Sequence, residues 1–350
     1  MFTMDLPHIT KELPGTEGII RETLEDFTVE EVPVFEPSGE GEHLFVNLTK
    51  RGISTRKLAL DLTAQFGLGR TEVGFAGLKD LRSVSTQTLS LHLGRITDDE
   101  IADIGRIIEA TVPVGVNWLR PHSRKLRAGQ LLGNRFSINI TGLSLDPEEA
   151  LARARKIAAV LGSGGLPNYY GPQRVDEDNI RRGYEIIKGT YAGRPMRNKW
   201  LRRLLVSSYL DHLCNLYLQE RLERGEFHRL LKGDIAKKHS TGGLFLVEDP
   251  DIDADRYETG EINFTAPIFG PRMWWAEGPS GDLEREIFDK SDITLEELRS
   301  LDVRGTRRLG RILPKITIRR SERGLNVCFF LPKGAYATMV LREIMKNEVR

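Results

Sequence analysis

Residues 74–80 read Gly-Phe-Ala-Gly-Leu-Lys-Asp, and the interpretation of the whole sequence starts from them. The segment runs from an apolar stretch through two glycines to a carboxylate, Asp80, that has a lysine beside it. Tight hairpin turns more often carry Asn-Gly or Asp-Gly, with the polar residue first. Because the glycines come first here, we expect the backbone to bend and then to present Asp80. That residue is either a turn or helix-capping aspartate or a catalytic carboxylate on a loop between strands.

Length and composition are those of a globular protein with one large domain or two smaller ones. The 350 residues are 39% hydrophobic, enough for a buried core, and the formal net charge is only +1. Any nucleic-acid interface must therefore lie in local basic clusters. Cys214 and Cys328 lack zinc-ligand spacing and are expected to be buried thiols, as suits a reducing cytoplasm. The sequence shows no signal-peptide pattern and no apolar run near the roughly 20 residues that span a bilayer. We expect a cytoplasmic protein with no membrane segment.

Hydrophobic periodicity predicts strands and helices on both sides of Asp80. Strands are expected at 26–32, 43–50, 89–93, 114–119, 136–140 and 325–331, with 43–50 as the partner of 26–32. Helices are expected at 54–66, 98–111, 147–161, 204–224 and 292–301, and a last one ends at Lys346. The glycine-rich segment 162–165 is the first candidate for a domain boundary.

Motifs of several common chemistries are absent from the sequence. It has no phosphate-binding G-x-x-x-x-G-K-[ST] loop and no G-x-G-x-x-G dinucleotide fingerprint. The seven histidines show no H-E-x-x-H spacing, and no G-x-S-x-G elbow occurs. These absences count against ATP, NAD, zinc and serine-hydrolase chemistry.

Positive charge concentrates in three segments, 122–135, 181–203 and 304–320. The middle segment includes Arg194, Arg197, Arg202 and Arg203. Such clusters are either solvated helix faces or phosphate-binding surfaces. Tyrosines at 169 and 170 and tryptophans at 274 and 275 favour RNA contact, because unstacked bases rest on aromatic planes.

Five segments, taken in this order along the chain, resemble the TruD-type tRNA pseudouridine synthases. They are Glu-Asp-Phe-Thr-Val-Glu at 25–30, the segment 74–80, Arg-Lys-Leu-Arg-Ala-Gly at 124–129 with Gly-Asn-Arg-Phe at 133–136, Pro-Asn-Tyr-Tyr-Gly-Pro-Gln-Arg at 167–174, and Phe-Leu-Pro-Lys-Gly-Ala-Tyr-Ala-Thr at 330–338 with Leu-Arg-Glu at 341–343. With this resemblance, the catalytic interpretation of Asp80 is favoured over the turn or cap.

The resemblance implies an enzyme that isomerises a uridine of tRNA, characteristically at position 13, to pseudouridine without a metal or cofactor. The implied fold is α+β: a pseudouridine synthase core with a mixed, largely antiparallel sheet, carrying an inserted family-specific α+β domain. We place a discontinuous catalytic core at 1–166 and 314–350 and the insertion at 167–313. The expected partner is tRNA, and the expected state is a monomer.

The same resemblance assigns the site residues. Asp80 is the essential carboxylate, acting on a uridine flipped out of its stack. Arg21 matches a basic residue, commonly lysine, that pairs with the aspartate in the family. Lys79, the residue next to Asp80, is the alternative partner. The residues implied to line the base and ribose site are Phe27, Asn134, Phe136 and Tyr336. An asparagine side chain offers donors and acceptors suited to a uracil edge or a ribose hydroxyl.

Two other hypotheses remain open at the level of sequence. The chain could be an RNA-binding or RNA-folding protein that keeps the fold without catalysis. It could also be a small-molecule hydrolase with paired carboxylates, Asp80 with Glu30 or Glu31.

Overall fold

The structure, a computed structural model, describes residues 6–69, 71–172, 174–193 and 198–347. Strands are β1 Phe27–Pro33, β2 His43–Arg51, β3 Val73–Phe75, β4 Val84–His92, β5 Val114–His122, β6 Leu131–Thr141, β7 Leu166–Pro167, β8 Ile235–Lys238, β9 Leu244–Leu246, β10 Ile262–Ile268, β11 Thr306–Leu309, β12 Arg311–Ile312, β13 Ile316–Ser321 and β14 Gly324–Pro332. Helices are α1 Thr55–Gln65, α2 Asp98–Thr111, α3 Pro147–Gly164, α4 Glu177–Lys188, α5 Lys199–Glu223, α6 Ala254–Glu258, α7 Gly278–Lys290, α8 Leu295–Ser300 and α9 Ala337–Met345. Gln173 of the family-like segment 167–174, and Arg194 and Arg197 of the basic segment 181–203, lie outside the described residues.

The chain divides into two compact units. The sheet unit comprises Gly15–Ala158, Lys315–Ala337 and the described part of Ile344–Arg350. The second unit, here called the helical unit, comprises the described part of Met1–Pro14 together with Ala159–Pro314 and Thr338–Glu343. The assignment of catalytic and inserted roles to 1–166 with 314–350 and to 167–313 stays a prediction.

The sheet unit is built on an eight-stranded sheet in the order β13-β14-β6-β1-β4-β2-β5, with β3 paired to β4. Strands β1 and β4 run parallel, and the other pairs are antiparallel. The predicted mixed, largely antiparallel sheet is therefore confirmed. The predicted pairing of 26–32 with 43–50 is wrong, because β4 lies between β1 and β2 and bonds to both.

Helices α1 and α2 pack against one end of this sheet. Ser54 caps α1 by accepting a hydrogen bond from the Lys57 amide, and α2 begins with a capping box formed by Thr97 and Glu100. The apolar stripe of α1 buries Leu58 and Leu62 in a core that leucines of β2 and β4 complete. The α2 bounds match the predicted helix, and α1 differs from its prediction only at the ends.

The helical unit contains a four-stranded sheet in the order β11-β10-β8-β9 and a two-stranded one of β12 and β7. Its core holds the ion pair of Arg221 and Asp234, both fully buried, with Nη1 and Oδ1 2.6 Å apart. Helix α5 begins at Lys199, five residues before the predicted start, and α8 is shorter than the predicted 292–301. The segment expected to break at 162–165 is helical through Gly164. No helix among the described residues is both long enough and apolar enough to cross a membrane.

Candidate active site

Asp80 lies in the loop between β3 and β4 with its carboxylate half exposed, at 51%. The Arg21 side chain is only 7% exposed, and its Nη2 donates to Asp80 Oδ2 over 2.7 Å. Burial lowers the pKa of the Arg21 guanidinium, and the negative charge of Asp80 opposes that shift. A buried cation thus holds one oxygen of an accessible carboxylate.

A backbone angle and two contacts describe how Arg21 is held in turn. Its backbone has a positive φ of 61°, uncommon for a residue other than glycine. Arg82 Nη2 donates to the Arg21 carbonyl oxygen at 3.0 Å. The guanidinium carbon lies 4.1 Å from the centre of the Phe27 ring, a cation–π contact. Arg21 Nε is buried without a hydrogen-bond partner, so one donor of the guanidinium is unused.

The choice between Arg21 and Lys79 is answered by the geometry. Lys79 Nζ lies 2.5 Å from Glu31 Oε2, and both side chains are buried. Glu31 is thereby committed to a lysine, whereas Glu30 lies on the opposite face of β1 with Arg135 3.9 Å away. Each glutamate therefore has a cation as its partner, which gives the hydrolase hypothesis no support.

The two glycines of 74–80 do not bend the backbone in the way the sequence suggested. Neither Gly74 nor Gly77 is among the described residues with positive φ. Gly74 instead lies in β3 where a Cβ would be 2.2 Å from the carbonyl oxygen of Leu126. The glycine allows a close approach between β3 and the segment after β5.

Strand register brings the predicted aromatic residues into one region of the sheet. A row of side chains on one face runs across five strands through Lys50, Ser85, Val29, Phe136 and Phe329. The Phe136 ring stacks on Phe329 at 5.3 Å between centroids. Phe27, two residues before Val29, meets Phe136 edge to face at 6.1 Å. A continuous aromatic contact therefore extends from Arg21 to β14.

Asn134 belongs to the adjacent row, directly opposite Glu31 on β1. Its Oδ1 is buried and has no hydrogen-bond partner among the described residues, an uncommon state that leaves an acceptor for a ligand. Tyr336 is half-buried in the segment between β14 and α9. The turn that precedes it is fastened to β6, because the Lys333 amide donates to the Leu132 carbonyl at 3.0 Å. The described residues include no cluster of three or more metal-ligating side chains.

Two residues of this region went unrecognised in the sequence. Phe329 was assigned only to an apolar strand, since its neighbour across the sheet depends on register. Lys50 was assigned to the end of a strand, yet it is completely buried and donates to the carbonyl of Asp80 at 3.2 Å. A lysine closing an apolar strand gives no local sign of burial, because lysines are almost always exposed.

The basic segments of the helical unit are only partly available to a ligand. On α4, Arg181 pairs with Asp178 and Glu185, and Arg182 pairs with Asp178. In the 304–320 segment, Arg307 is bonded to the buried Glu284. Arg202 and Arg203, near the start of α5, are exposed and line a surface cavity with Lys199. The one carboxylate near them among the described ion pairs, Asp302, is itself exposed and lies 4.0 Å from Arg203.

Comparison with known proteins agrees with this fold. The sequence pattern of the family described as tRNA pseudouridine synthase D (TruD) matches residues 3–194 and 194–344. A tRNA pseudouridine synthase D from Anaeromyxobacter dehalogenans is 39% identical over 353 residues, covering 98% of this chain and 97% of the relative. One from Thermus thermophilus is 40% identical over 345 residues, covering 98% and 92%. A crystal structure from Methanosarcina mazei that carries the TruD name superposes with a TM-score of 0.75 at 24% identity, over 98% of this chain and 99% of that one.

The fold and the family pattern together define the class, a tRNA-modifying enzyme of the isomerase type. The chain belongs to the tRNA pseudouridine synthase D (TruD) family. The resemblance inferred from five sequence segments is confirmed.

Proposed function

We propose that this protein isomerises a uridine of tRNA, characteristically the uridine at position 13, to pseudouridine, with Asp80 as the essential carboxylate. The observation that carries the proposal is the accessible Asp80 carboxylate, 2.7 Å from the buried guanidinium of Arg21. The family relationship supplies the reaction and the substrate class.

The reaction exchanges one glycosidic bond for another. The N1–C1′ bond breaks, the uracil turns, and C5 bonds to C1′; the proton that leaves C5 is balanced by one gained at N1. The change is an isomerisation with no net redox step. An ionised Asp80 serves either by attacking a carbon or by taking a proton from the ribose. Arg21 binds one oxygen of the carboxylate and so orients the other toward the nucleoside.

The substrate-binding role is proposed for Phe27, Asn134, Phe136 and Tyr336. The uridine must leave its stack to reach Asp80, and aromatic faces stabilise an extruded pyrimidine. Phe136 is half-buried beside Phe329 and presents an aromatic surface next to the Arg21–Asp80 pair. The unpartnered Oδ1 of Asn134 accepts from uracil N3–H or a ribose hydroxyl. Phe27 contributes through Arg21, since the guanidinium covers its ring. The monomeric state and the cytoplasmic location stay predictions.

The deciding experiment compares wild type with Asp80→Asn on an unmodified tRNA transcript. We expect pseudouridine formation to fall by about 10³-fold or more, because the carboxylate takes part in the chemical step. Binding of the transcript, measured by gel shift, should persist. Asp103→Asn is the matched control: Asp103 is also a half-exposed aspartate bonded to an arginine in the sheet unit, but on α2.

Chemical mapping of the product gives the site of modification. A transcript with cytidine at position 13 should remain unmodified. Normal activity of Asp80→Asn would refute the catalytic assignment, and modification at a different uridine would refute the positional one. A wild-type protein that binds tRNA without forming pseudouridine would instead support the non-catalytic RNA-binding hypothesis.

A further inference from the structure

Lys50 is a charged residue buried beneath the proposed site. It is 0% exposed at the end of β2, in the row of side chains that leads through Ser85 and Val29 to Phe136. Its Nζ donates to the carbonyl oxygen of Ile53 at 2.6 Å and to the carbonyl oxygen of Asp80 at 3.2 Å. A buried ammonium is costly unless its hydrogen bonds are satisfied.

We propose that Lys50 is a positioning residue for catalysis, whose ammonium fixes the peptide that carries the Asp80 side chain. This inference rests on the proposed catalytic role of Asp80. It assigns to Lys50 no contact with the substrate.

The contacts of the Asp80 carbonyl show how the positioning works. That oxygen accepts from Lys50 Nζ and also from Ser83 Oγ at 2.8 Å, so both of its lone pairs are engaged. The second acceptor of Lys50, Ile53, directly precedes Ser54, which caps α1. The lysine therefore ties the loop to both β2 and the start of a helix. Among the described residues, the carboxylate itself is bonded to Arg21 alone, so movement of this peptide would misdirect the carboxylate, and small displacements of reacting groups lower the rate strongly.

The charges around Lys50 support an interaction with Asp80 as well as a hydrogen bond. Burial lowers the pKa of Lys50 to about 8, the positive charge of Lys79 acts in the same direction, and the negative charge of Asp80 opposes both. Glu31 on β1 accepts hydrogen bonds from Lys79 Nζ and from the Thr88 amide. Asp80 is thus the carboxylate whose negative charge offsets the positive charge of Lys50.

A purely structural role is the alternative, and the two roles predict opposite results for Lys50→Met. Methionine keeps the apolar stem and removes the charge. The Ile53 carbonyl then loses this donor, so we expect the melting temperature to fall, and a purely structural role would leave kcat measured below that temperature at its wild-type value. If Lys50 positions Asp80, kcat should instead fall about 10- to 100-fold, with KM for tRNA within about twofold of wild type. A variant with wild-type kcat, whatever its melting temperature, would overturn the proposal.

Ser83→Ala provides a second variant that acts on the same carbonyl oxygen. It removes the other donor and should lower kcat less than Lys50→Met, because a neutral hydroxyl is the weaker donor. The double variant should lose less than the product of the two single effects, since both donors hold one oxygen. Strictly multiplicative effects would contradict action through the Asp80 carbonyl.

The pH dependence of wild-type kcat tests the proposal without relying on any variant to fold. Lys50 is protonated below about pH 8 and neutral above it, so kcat should decline as pH rises through about 8. Lys50→Met should lack this decline. A wild-type profile that stays level to pH 9.5, on the order of 1.5 units above that pKa, would count against the role.

Asp80→Asn assayed in parallel separates failure of the proposed function from failure of this inference. If that variant is active, the proposed function fails. If it is inactive while Lys50→Met has normal activity, only this inference fails.

Discussion

Arg21 gives Asp80 a partner with two properties that lysine lacks. Its planar fork directs Nη2 at the carboxylate, while its flat face covers Phe27 at 4.1 Å. Lysine, the commoner residue at this position by family resemblance, would keep the charge as a flexible point. In this chain the contact with the Phe27 ring fixes the orientation of the Arg21 guanidinium.

Replacement of Arg21 should therefore affect kcat even when the positive charge is kept. We expect Arg21→Lys to lower kcat about 10-fold and Arg21→Ala about 100-fold, since a charge-assisted hydrogen bond to Asp80 is misdirected in one variant and lost in the other. Single-turnover pseudouridine formation at saturating enzyme would measure this. Arg51→Ala is the control, because Arg51 pairs with Glu25 with both side chains exposed. If Arg21→Ala keeps the wild-type rate, the pairing has no catalytic role.

At the scale of single residues, the sequence proposed Asp80 from one of five ordered segments and Arg21 from its position, and the structure shows these two side chains bonded to each other. The sequence missed Lys50 and Phe329 for a physical reason. Their roles come from burial and from neighbours across the sheet, and both depend on which strands pair and in what register.

Among the elements, the short strand β3 and the loop after it hold Asp80 through close backbone packing. Gly74 pairs with Ser90 of β4, and its missing side chain makes room for the Leu126 carbonyl. The loop is then bonded to α1, because the Lys79 amide donates to Thr55 Oγ1 at 2.9 Å. The position of the carboxylate is thus set at both ends of the loop.

The two glycines of this stretch should respond differently to alanine. A Cβ at Gly74 would lie 2.2 Å from a backbone oxygen, so Gly74→Ala should lower the free energy of unfolding by about 1–3 kcal/mol. At Gly77 the nearest atom would be Lys79 Nζ at 3.5 Å, an ordinary contact, so Gly77→Ala should stay within about 1 kcal/mol of wild type. Urea unfolding of both variants makes the comparison. If both variants lost the same free energy of unfolding, the loop, rather than the close contact at β3, would account for the loss.

Helices and strands differ in how far sequence could specify them. Local signals such as the Ser54 cap and the Thr97–Glu100 capping box determined where α1 and α2 begin. Strand pairing is non-local: β1 and β2 are neighbours in sequence, yet β4 separates them in the sheet. Periodicity therefore predicted six strands of the large sheet, β1, β2, β4, β5, β6 and β14, but not their order.

For the whole molecule, a net charge of +1 conceals an uneven distribution of positive charge. Internal ion pairs neutralise the arginines of α4, and Arg307 is bonded to a buried glutamate. Sequence located the basic segments but could not separate paired from exposed arginines, since pairing depends on side-chain placement. Exposed cations near the start of α5 are the stronger candidates for contact with phosphates.

Binding of tRNA should weaken steeply with salt, because each phosphate contact releases counterions. Replacing Arg202 and Arg203 together by alanine should reduce the slope of log K against log salt by about 1.5 if both contact phosphates.

The control is Arg181→Ala with Arg182→Ala, which removes the same charge from the same segment at side chains already paired with Asp178. That variant should change the slope less, because Asp178 already offsets the charge of the two arginines that it removes. Filter binding between 50 and 300 mM salt, roughly the range in which such slopes are measured, gives both values. Equal slopes for wild type and the Arg202 and Arg203 variant would exclude this surface from the RNA interface while leaving the assignment of Asp80 untouched.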